Sequence, residues 1–401
     1  MSSSVVIVGA ARTPIGRYGG TLRNTHPAEL GARAVRAALD RARVAIEDVD
    51  EVFIGQARQA GSGPNPGRQV SRRAGLADTV PAMTVNQACA SGLQTVALGT
   101  QAIQLGQSKI VVAGGVESMS RMPYLVDSED ARWGHKMGHF ALVDAMYRDG
   151  FFCPLSNLLM GQTAEVLARQ YGITRLESDE YALESQRRAE AAIAAGRFTD
   201  EITPAPGRDD RSKEIELSDD EHPRAGTTLE SLGKLPLVFA PVDGHPGIIT
   251  AGSSSGITDG GAAVVLASAD EAVRRGLRPL ARVLGWATAG VDPRMMGMGP
   301  VPAVRALLAR LALGLDDFDL VELNEAFAPQ VLAVLRDLPF KPERLNVNGG
   351  AIALGHPIGA TGTRILVTLL YEMSRRRAKR GLATLCVSGG LGMALAVEGM
   401  D

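Results

Sequence analysis

Aromatic side chains are scarce in this chain: Phe, Tyr and Trp make up 4% of its 401 residues, against 46 glycines. A core of that composition cannot rest on large rings, so its elements must approach closely, backbone near backbone. Three cysteines, Cys89, Cys153 and Cys386, make no disulfide framework and fit a reducing compartment. A net charge of −2 gives no electrostatic case for a nucleic-acid partner. The one dense basic run, Arg375-Arg376-Arg377 with Lys379-Arg380, falls at the end of an expected helix, where cations suit the dipole. No apolar run approaches the length that crosses a bilayer. Met1-Ser2-Ser3-Ser4 leads at once into an apolar strand, without a signal or transit segment. The expectation is a soluble, cytoplasmic protein with no membrane partner.

What the chain does have is a regular alternation of short apolar runs and helical patterns, the mark of an α/β layered fold. Val5 to Val8, Val52 to Gly55, Val80 to Val85 and Lys109 to Gly115 read as strands, with a helix over Pro27 to Ala42 and another ending near Arg73. From about Ser120 to Thr250 the composition changes to longer charge-rich runs and most of the aromatics, including a helix from Thr174 to Gly196 whose Thr174 and Glu177 have capping-box spacing. The glycine-rich style then returns, with strands near Ala262 to Ala267, Ala281 to Leu284 and Leu320 to Leu323, and helices over Pro302 to Ala312, Ala328 to Leu335 and Gly362 to Arg377. Val85-Asn86 echoes Val347-Asn348, and Val111 to Gly115 echoes Cys386 to Gly390. The reading is a duplicated α/β unit with an inserted loop domain, its active loops supplied by both copies. The expected division is residues 1–120 with 251–272, an insertion over 121–250, and a second half over 273–401.

Four stretches have residues suited to chemistry. Cys89, within Asn86-Gln87-Ala88-Cys89-Ala90-Ser91-Gly92, sits where a strand turns into a helix; the free N–H groups there can lower a thiol pKa, although a lone cysteine is as often inert. His356 lies on a glycine-dense run, Asn348 to Gly362, that lets the backbone come close to a ligand. Asn324, after the strand Leu320 to Leu323, could aim at a developing oxyanion or cap a helix. Cys386, before Ser388-Gly389-Gly390, could move protons on a carbon acid or fill a core. His135 and His139 have metal-ligand spacing, but no third ligand is evident and Gly and Trp interrupt a helix there.

Together, in this order, these four motifs resemble the thiolase family over essentially the whole chain, with Gly290-Val291-Asp292-Pro293 and Met296-Gly297 also matching. The resemblance implies two α/β halves, a loop domain that grips coenzyme A, and a homotetramer or homodimer. It implies Cys89 as the nucleophile that takes the acyl group, His356 as its activator, and Asn324 as the holder of a water that helps stabilise the thioester oxyanion. Cys386 becomes the acid/base at the α-carbon, with backbone N–H groups of Cys89 and Ser388 as a second oxyanion hole. Arg224, Ser231 and Ser255 match positions that meet coenzyme A, and Trp133 to Gly138 falls where relatives have a tetramerisation loop. Acetyl-CoA, acyl-CoA and coenzyme A are then substrates, and no metal or redox cofactor is required.

Two departures stand out. Ser388 replaces a family glycine, which keeps the oxyanion donor only where its φ is negative. Leu159 replaces a histidine of acetoacetyl-CoA-forming relatives, so longer acyl chains are expected to fit. The competing readings are a ketoacyl-synthase-like condensing enzyme, against which Cys386 argues, and a non-catalytic acyl-CoA or lipid binder, against which the four intact positions argue.

Overall fold

Nine of the apolar runs share one sheet in the computed structural model, which describes residues 4–400. In chain order the first half supplies β1 (Val5–Arg12), α1 (Pro27–Ala42), β2 (Glu51–Gly55), α2 (Pro66–Ala74), β3 (Ala82–Val85), α3 (Ser91–Gln104) and β4 (Ile110–Ser118). An insertion with α4 (Met160–Gln170) and α5 (Arg175–Ala194) follows, and β5 (Thr258–Ser268) closes the half. The second half supplies β6 (Ala281–Gly290), α6 (Pro300–Leu311), β7 (Leu320–Leu323), α7 (Ala328–Asp337), α8 (Ile358–Arg376), β8 (Arg380–Val387) and β9 (Leu391–Gly399).

The strand order β7-β8-β9-β6-β1-β5-β4-β2-β3 is a palindrome about the β6–β1 contact. β1 answers β6, β5 answers β9, β4 answers β8 and β2 answers β7. The parallel β2–β3 pair has its counterpart in a parallel bridge from Val321 to Leu345. Even the irregularities repeat: β1 slips register between Ile7 and Gly9, and β6 between Val283 and Gly285, each just after the strand's third residue. This is the duplication expected from the two echoing motifs.

Side-chain alternation sorts the core into layers. Val5 and Ile7 of β1 join α3 and α8 in one apolar cluster, while Val6 and Val8 join α1 and α2 in another. On the other half, Ala383 and Leu385 of β8 face α3 and α8, while Leu382 packs with α6 and α7. Helices α3 and α8 therefore lie between the two half-sheets, with one helical layer outside each. Their approach needs small residues: a Cβ on Gly92 would lie 2.7 Å from Thr363 Oγ1 and 2.9 Å from Gly359 O. Thr363 Oγ1 instead donates to Gly92 O at 2.7 Å.

The expected capping box is present at α5, where Thr174 N donates to Glu177 Oε2 at 2.7 Å and Glu177 N to Thr174 Oγ1 at 3.2 Å. One boundary differs usefully: α8 starts at Ile358, not at Gly362. Pro357 stands at its N-cap; within the helix Gly362 lies against Leu93 of α3, and Gly359 against Gln56, Ala57 and Val116. No helix among the described residues is long and apolar enough to cross a membrane.

Candidate active site

Cys89 lies in a short turn, Ala88–Ala90, between β3 and α3. Asn86 builds the turn: its Oδ1 accepts from Ala88 N at 2.9 Å and its Nδ2 donates to Ala57 O at 3.1 Å. Ser91 Oγ closes it from the other side, accepting from Gln87 N at 2.9 Å and donating to Ala88 O at 2.7 Å. Ala88 is held at φ 45°, a left-handed conformation that costs an L-residue about 1 kcal/mol or more. Cys89, next in the turn, is half-buried and packs on two of the apolar clusters.

The backbone N–H groups of Ser388 and of Cys89 itself act on the sulfur in favour of the thiolate. The left-handed φ angles of the β8–β9 turn fall on Gly389 and Gly390, at 88° and 85°, and not on Ser388. The serine therefore keeps its donor. The expectation that the helix N-terminus lowers the Cys89 thiol is reversed: burial is the largest influence and pushes it up, opposed by the Arg58 cation and the two N–H groups. Cys386, at the end of β8, is 1% exposed. Its thiol is pushed up strongly, first by burial and then by the neighbouring Cys89.

His356 leads into α8 and is 7% exposed. Its Nδ1 lies 2.6 Å from Thr361 Oγ1, and that hydroxyl is 3.1 Å from Pro357 O. A carbonyl only accepts, so the hydroxyl donates to it and takes the Nδ1–H of the ring. Nε2 is left with its lone pair. Burial, with the charges of Arg364 and Arg58, lowers the His356 pKa to about 3, so the ring is a neutral base at physiological pH. Ile358, two residues on, belongs to the apolar cluster against which Cys89 packs.

Asn324 follows β7 with its N–H donated to Thr384 O at 3.0 Å. Its side chain is 1% exposed, and neither amide atom has a partner among the described residues. It is not a helix cap, since Phe327 occupies that position at α7. A buried, unspent amide is costly unless something in the functional state meets it.

Glu117, which the sequence did not single out, ties the loops together. Its carboxylate accepts from Ala57 N and Arg58 N, both at 3.1 Å, and from Gly359 N at 2.8 Å. Burial raises its pKa to about 7.

A cavity of about 430 Å³ lies beside this centre, with none of Cys89, His356, Asn324 and Cys386 among its lining residues. Two of its lining residues, Phe151 and Ile257, also pack on the cluster that Cys89 joins, and two others, Met160 and Phe327, pack on Cys386. Leu159 is in the apolar wall, beside Phe239. Arg224 and Ser255 line the cavity as expected positions, and Arg17, Tyr18 and His222 join them unforeseen. Ser231 is not in the lining; its hydroxyl donates to Thr228 O at 2.7 Å in the cap of a short helix. The segment bearing His222 and Arg224 is anchored by Arg12, whose Nη1 reaches Asp220 Oδ1 at 2.7 Å and whose Nε reaches Glu201. His135 and His139 form no helical pair: the helix there ends at Arg132, and the His135 ring nitrogens meet Asp130 Oδ1 at 3.1 Å and Gly138 O at 2.9 Å.

Two family models together cover nearly the whole chain. Residues 5–270 match the model of the thiolase N-terminal domain, and residues 277–399 that of the thiolase C-terminal domain. The chain is 50% identical over 395 residues to an acetyl-CoA acetyltransferase of Rhizobium meliloti, covering 98% of both chains. It is 50% identical over 396 residues to an acetyl-CoA acetyltransferase of Escherichia coli, covering 99% of both. A human mitochondrial 3-ketoacyl-CoA thiolase solved in complex with CoA superimposes with a TM-score of 0.94 at 41% identity, over 100% of this chain and 98% of that one.

Proposed function

This chain belongs to the thiolase family, and on that premise we propose that Cys89, His356, Asn324 and Cys386 are its catalytic residues. The protein is an enzyme, an acyltransferase of the thiolase type. In the cleavage direction, His356 Nε2 takes the proton of Cys89, and the thiolate sulfur adds to the C3 carbonyl of a 3-ketoacyl-CoA. The C2–C3 bond then breaks, its electron pair leaving as the enolate of acetyl-CoA, which takes a proton from the Cys386 thiol. The thiol of coenzyme A then gives its proton to the Cys386 thiolate and attacks the acyl-Cys89, carrying the acyl group away, while the departing Cys89 thiolate takes its proton back from His356. Condensation is the reverse, with Cys386 as the base at the α-carbon. Each carbonyl addition puts negative charge on oxygen, and fixed donors are worth most at that point. The Cys89 and Ser388 N–H groups serve one such oxygen, and Asn324, with His356 once protonated, serves the other.

The observation that carries this reading is that the Cys89 turn packs against the strand of Cys386, one from each half of the fold, and that Cys89 raises the cost of ionising Cys386. Only one thiolate forms at a time, which suits one sulfur that attacks and one that moves a proton. Arg224 and Ser255, with Arg17 at the mouth, fit the phosphates and pantetheine of coenzyme A; we leave Ser231 out of that set on its placement. We read residues 1–120 with 251–272 and 273–401 as the two halves, and 121–250 as the substrate-gripping insertion. Exposed apolar side chains on the insertion, Trp133 at 76% and Met137 at 89%, suit an oligomer, homotetramer or homodimer. A cytoplasmic enzyme of fatty-acid metabolism without a resident cofactor is the setting we favour.

Leu159 supports acyl chains longer than that of acetoacetyl-CoA, because it makes the cavity wall apolar where a histidine would be polar. The experiment for the whole reading is acylation followed by mass spectrometry: acetyl-CoA should leave one acetyl group, on Cys89. A binder without turnover would acquire none, and label on Cys153 or Cys386 would reject the assignment.

A further inference from the structure

His222 stands in the insertion on a segment fixed from both sides. Before it, Asp220 Oδ1 accepts from Ile15 N at 2.8 Å and Glu221 Oε2 from Arg17 N at 3.1 Å. After it, Arg224 N donates to Gln186 Oε1 at 3.0 Å. The ring is half-buried and lines the cavity together with Arg224, Ser255 and Gly256. Its Nδ1 lies 2.8 Å from Ala353 O. A carbonyl only accepts, so Nδ1 has the proton and Nε2 the lone pair. Burial is the largest influence on the His222 pKa and lowers it, which keeps the ring neutral. Nε2 has no partner among the described residues, yet it is not sealed in. A side chain on Gly256 would strike it, and Gly256 is the lining residue whose carbonyl accepts the His356 N–H at 3.0 Å.

Among the described residues of that lining, Arg17 and Arg224 only donate, and the hydroxyls of Tyr18, Tyr147, Ser254 and Ser255 can do either. His222 Nε2 is the one side-chain nitrogen or oxygen there that accepts without donating. The pantetheine arm of coenzyme A brings two secondary amides, each with an N–H, against a wall that includes Leu159 and Phe239. An amide donor left unmet on burial weakens binding by about tenfold or more. We propose that His222 is a coenzyme A-binding residue whose Nε2 accepts a hydrogen bond from an amide N–H of the pantetheine arm. One ring then serves two ends: Nε2 meets the substrate, and Nδ1 holds Ala353 on the run that leads into His356. The inference rests on the reading of this cavity as the coenzyme A site, and its test separates the two.

The test is the dissociation constant, by calorimetric titration of the full-length protein, for coenzyme A and two analogues, each with one pantetheine amide replaced by an ester. The ester keeps the shape and lacks the N–H. Wild type should bind one of the two analogues about tenfold more weakly than coenzyme A. His222→Asn keeps a donor for Ala353 O and loses the distal acceptor. It should bind coenzyme A about tenfold more weakly than wild type does and no longer discriminate against that analogue. His222→Gln, whose amide oxygen reaches the Nε2 position, should keep both the affinity and the discrimination. A merely structural role would weaken all three ligands alike in both variants. Equal affinity of wild type for all three ligands, or undiminished discrimination in His222→Asn, would overturn the proposal and leave the coenzyme A reading standing. No binding of coenzyme A by wild type would overturn both. If His222→Asn does not fold, wild type and His222→Gln decide by the same criteria.

Discussion

His356 Nδ1 and Thr361 Oγ1 lie 2.6 Å apart, and the threonine hydroxyl in turn faces Pro357 O at 3.1 Å. This two-step chain fixes the tautomer of a buried histidine with a hydroxyl rather than a carboxylate. Because Thr361 lies on the first turn of α8, the helix that begins right after His356 also orients its ring.

Thr361→Val should therefore keep the packing and lose the orienting acceptor. The expected result is a fall in kcat of about 10- to 100-fold with little change in KM, a part of the roughly 100- to 10,000-fold that positioned proton transfer contributes. Steady-state kinetics on a 3-ketoacyl-CoA check it, and an unchanged kcat would show that the ring is held by something else.

Acid stability offers a second check. The folded-state pKa of His356 is depressed to about 3, while the unfolded chain titrates near 6.5. The stability linked to this group is complete above about pH 6.5 and is lost as pH falls toward 3, by about 1.4 kcal/mol per unit. Glu117, raised to about 7, acts in the other direction: its contribution is complete below about pH 4.5 and is lost as pH rises through 7. Only a difference between variants isolates the histidine. Between about pH 6 and 4, wild type should lose more unfolding free energy than His356→Asn in denaturant titrations; equal losses would contradict the buried neutral ring.

Replacing either thiol should separate the two half-reactions. Cys89→Ala is expected to abolish turnover with the fold intact. Cys386→Ser should still exchange label between acetyl-CoA and coenzyme A while condensation nearly stops, because a serine hydroxyl is far too weak an acid for the α-carbon step. Equal losses in exchange and condensation would refute the division of labour.

Leu159→His should narrow the enzyme toward the four-carbon substrate. Each buried methylene is worth about 0.8 kcal/mol, so two added carbons could change relative kcat/KM by about tenfold. The measurement is kcat/KM for four-, six- and eight-carbon 3-ketoacyl-CoA in both forms. Strict four-carbon preference in the wild type, or an unchanged ratio in the variant, would sink the idea.

The sequence by itself determined the elements and their repetition. Buried strands such as β4 and β8 announce themselves as unbroken apolar runs, α5 by its Thr174–Glu177 cap, and the duplication by paired motifs around Cys89 and Cys386. These are local signals, legible because a strand covered on both faces and a capped helix each need a specific residue pattern. The four motif residues each left alternatives open on their own stretch, and only the resemblance to the thiolase family joined them into one expected site. Tertiary structure alone decided what surrounds them. Burial reversed the expected effect on the Cys89 thiol, because desolvation outweighs the pull of nearby N–H groups. It made helix of Ile358 to Thr361, where the glycines suggested a loop, with Gly359 packed closely on Val116 of β4 and on Gln56 and Ala57. It also left Ser231 in a helix cap and brought Glu117 and Gly150 to Arg58 from distant parts of the chain. Charges buried by long-range packing leave no local pattern, so no reading of neighbours along the chain could have found them.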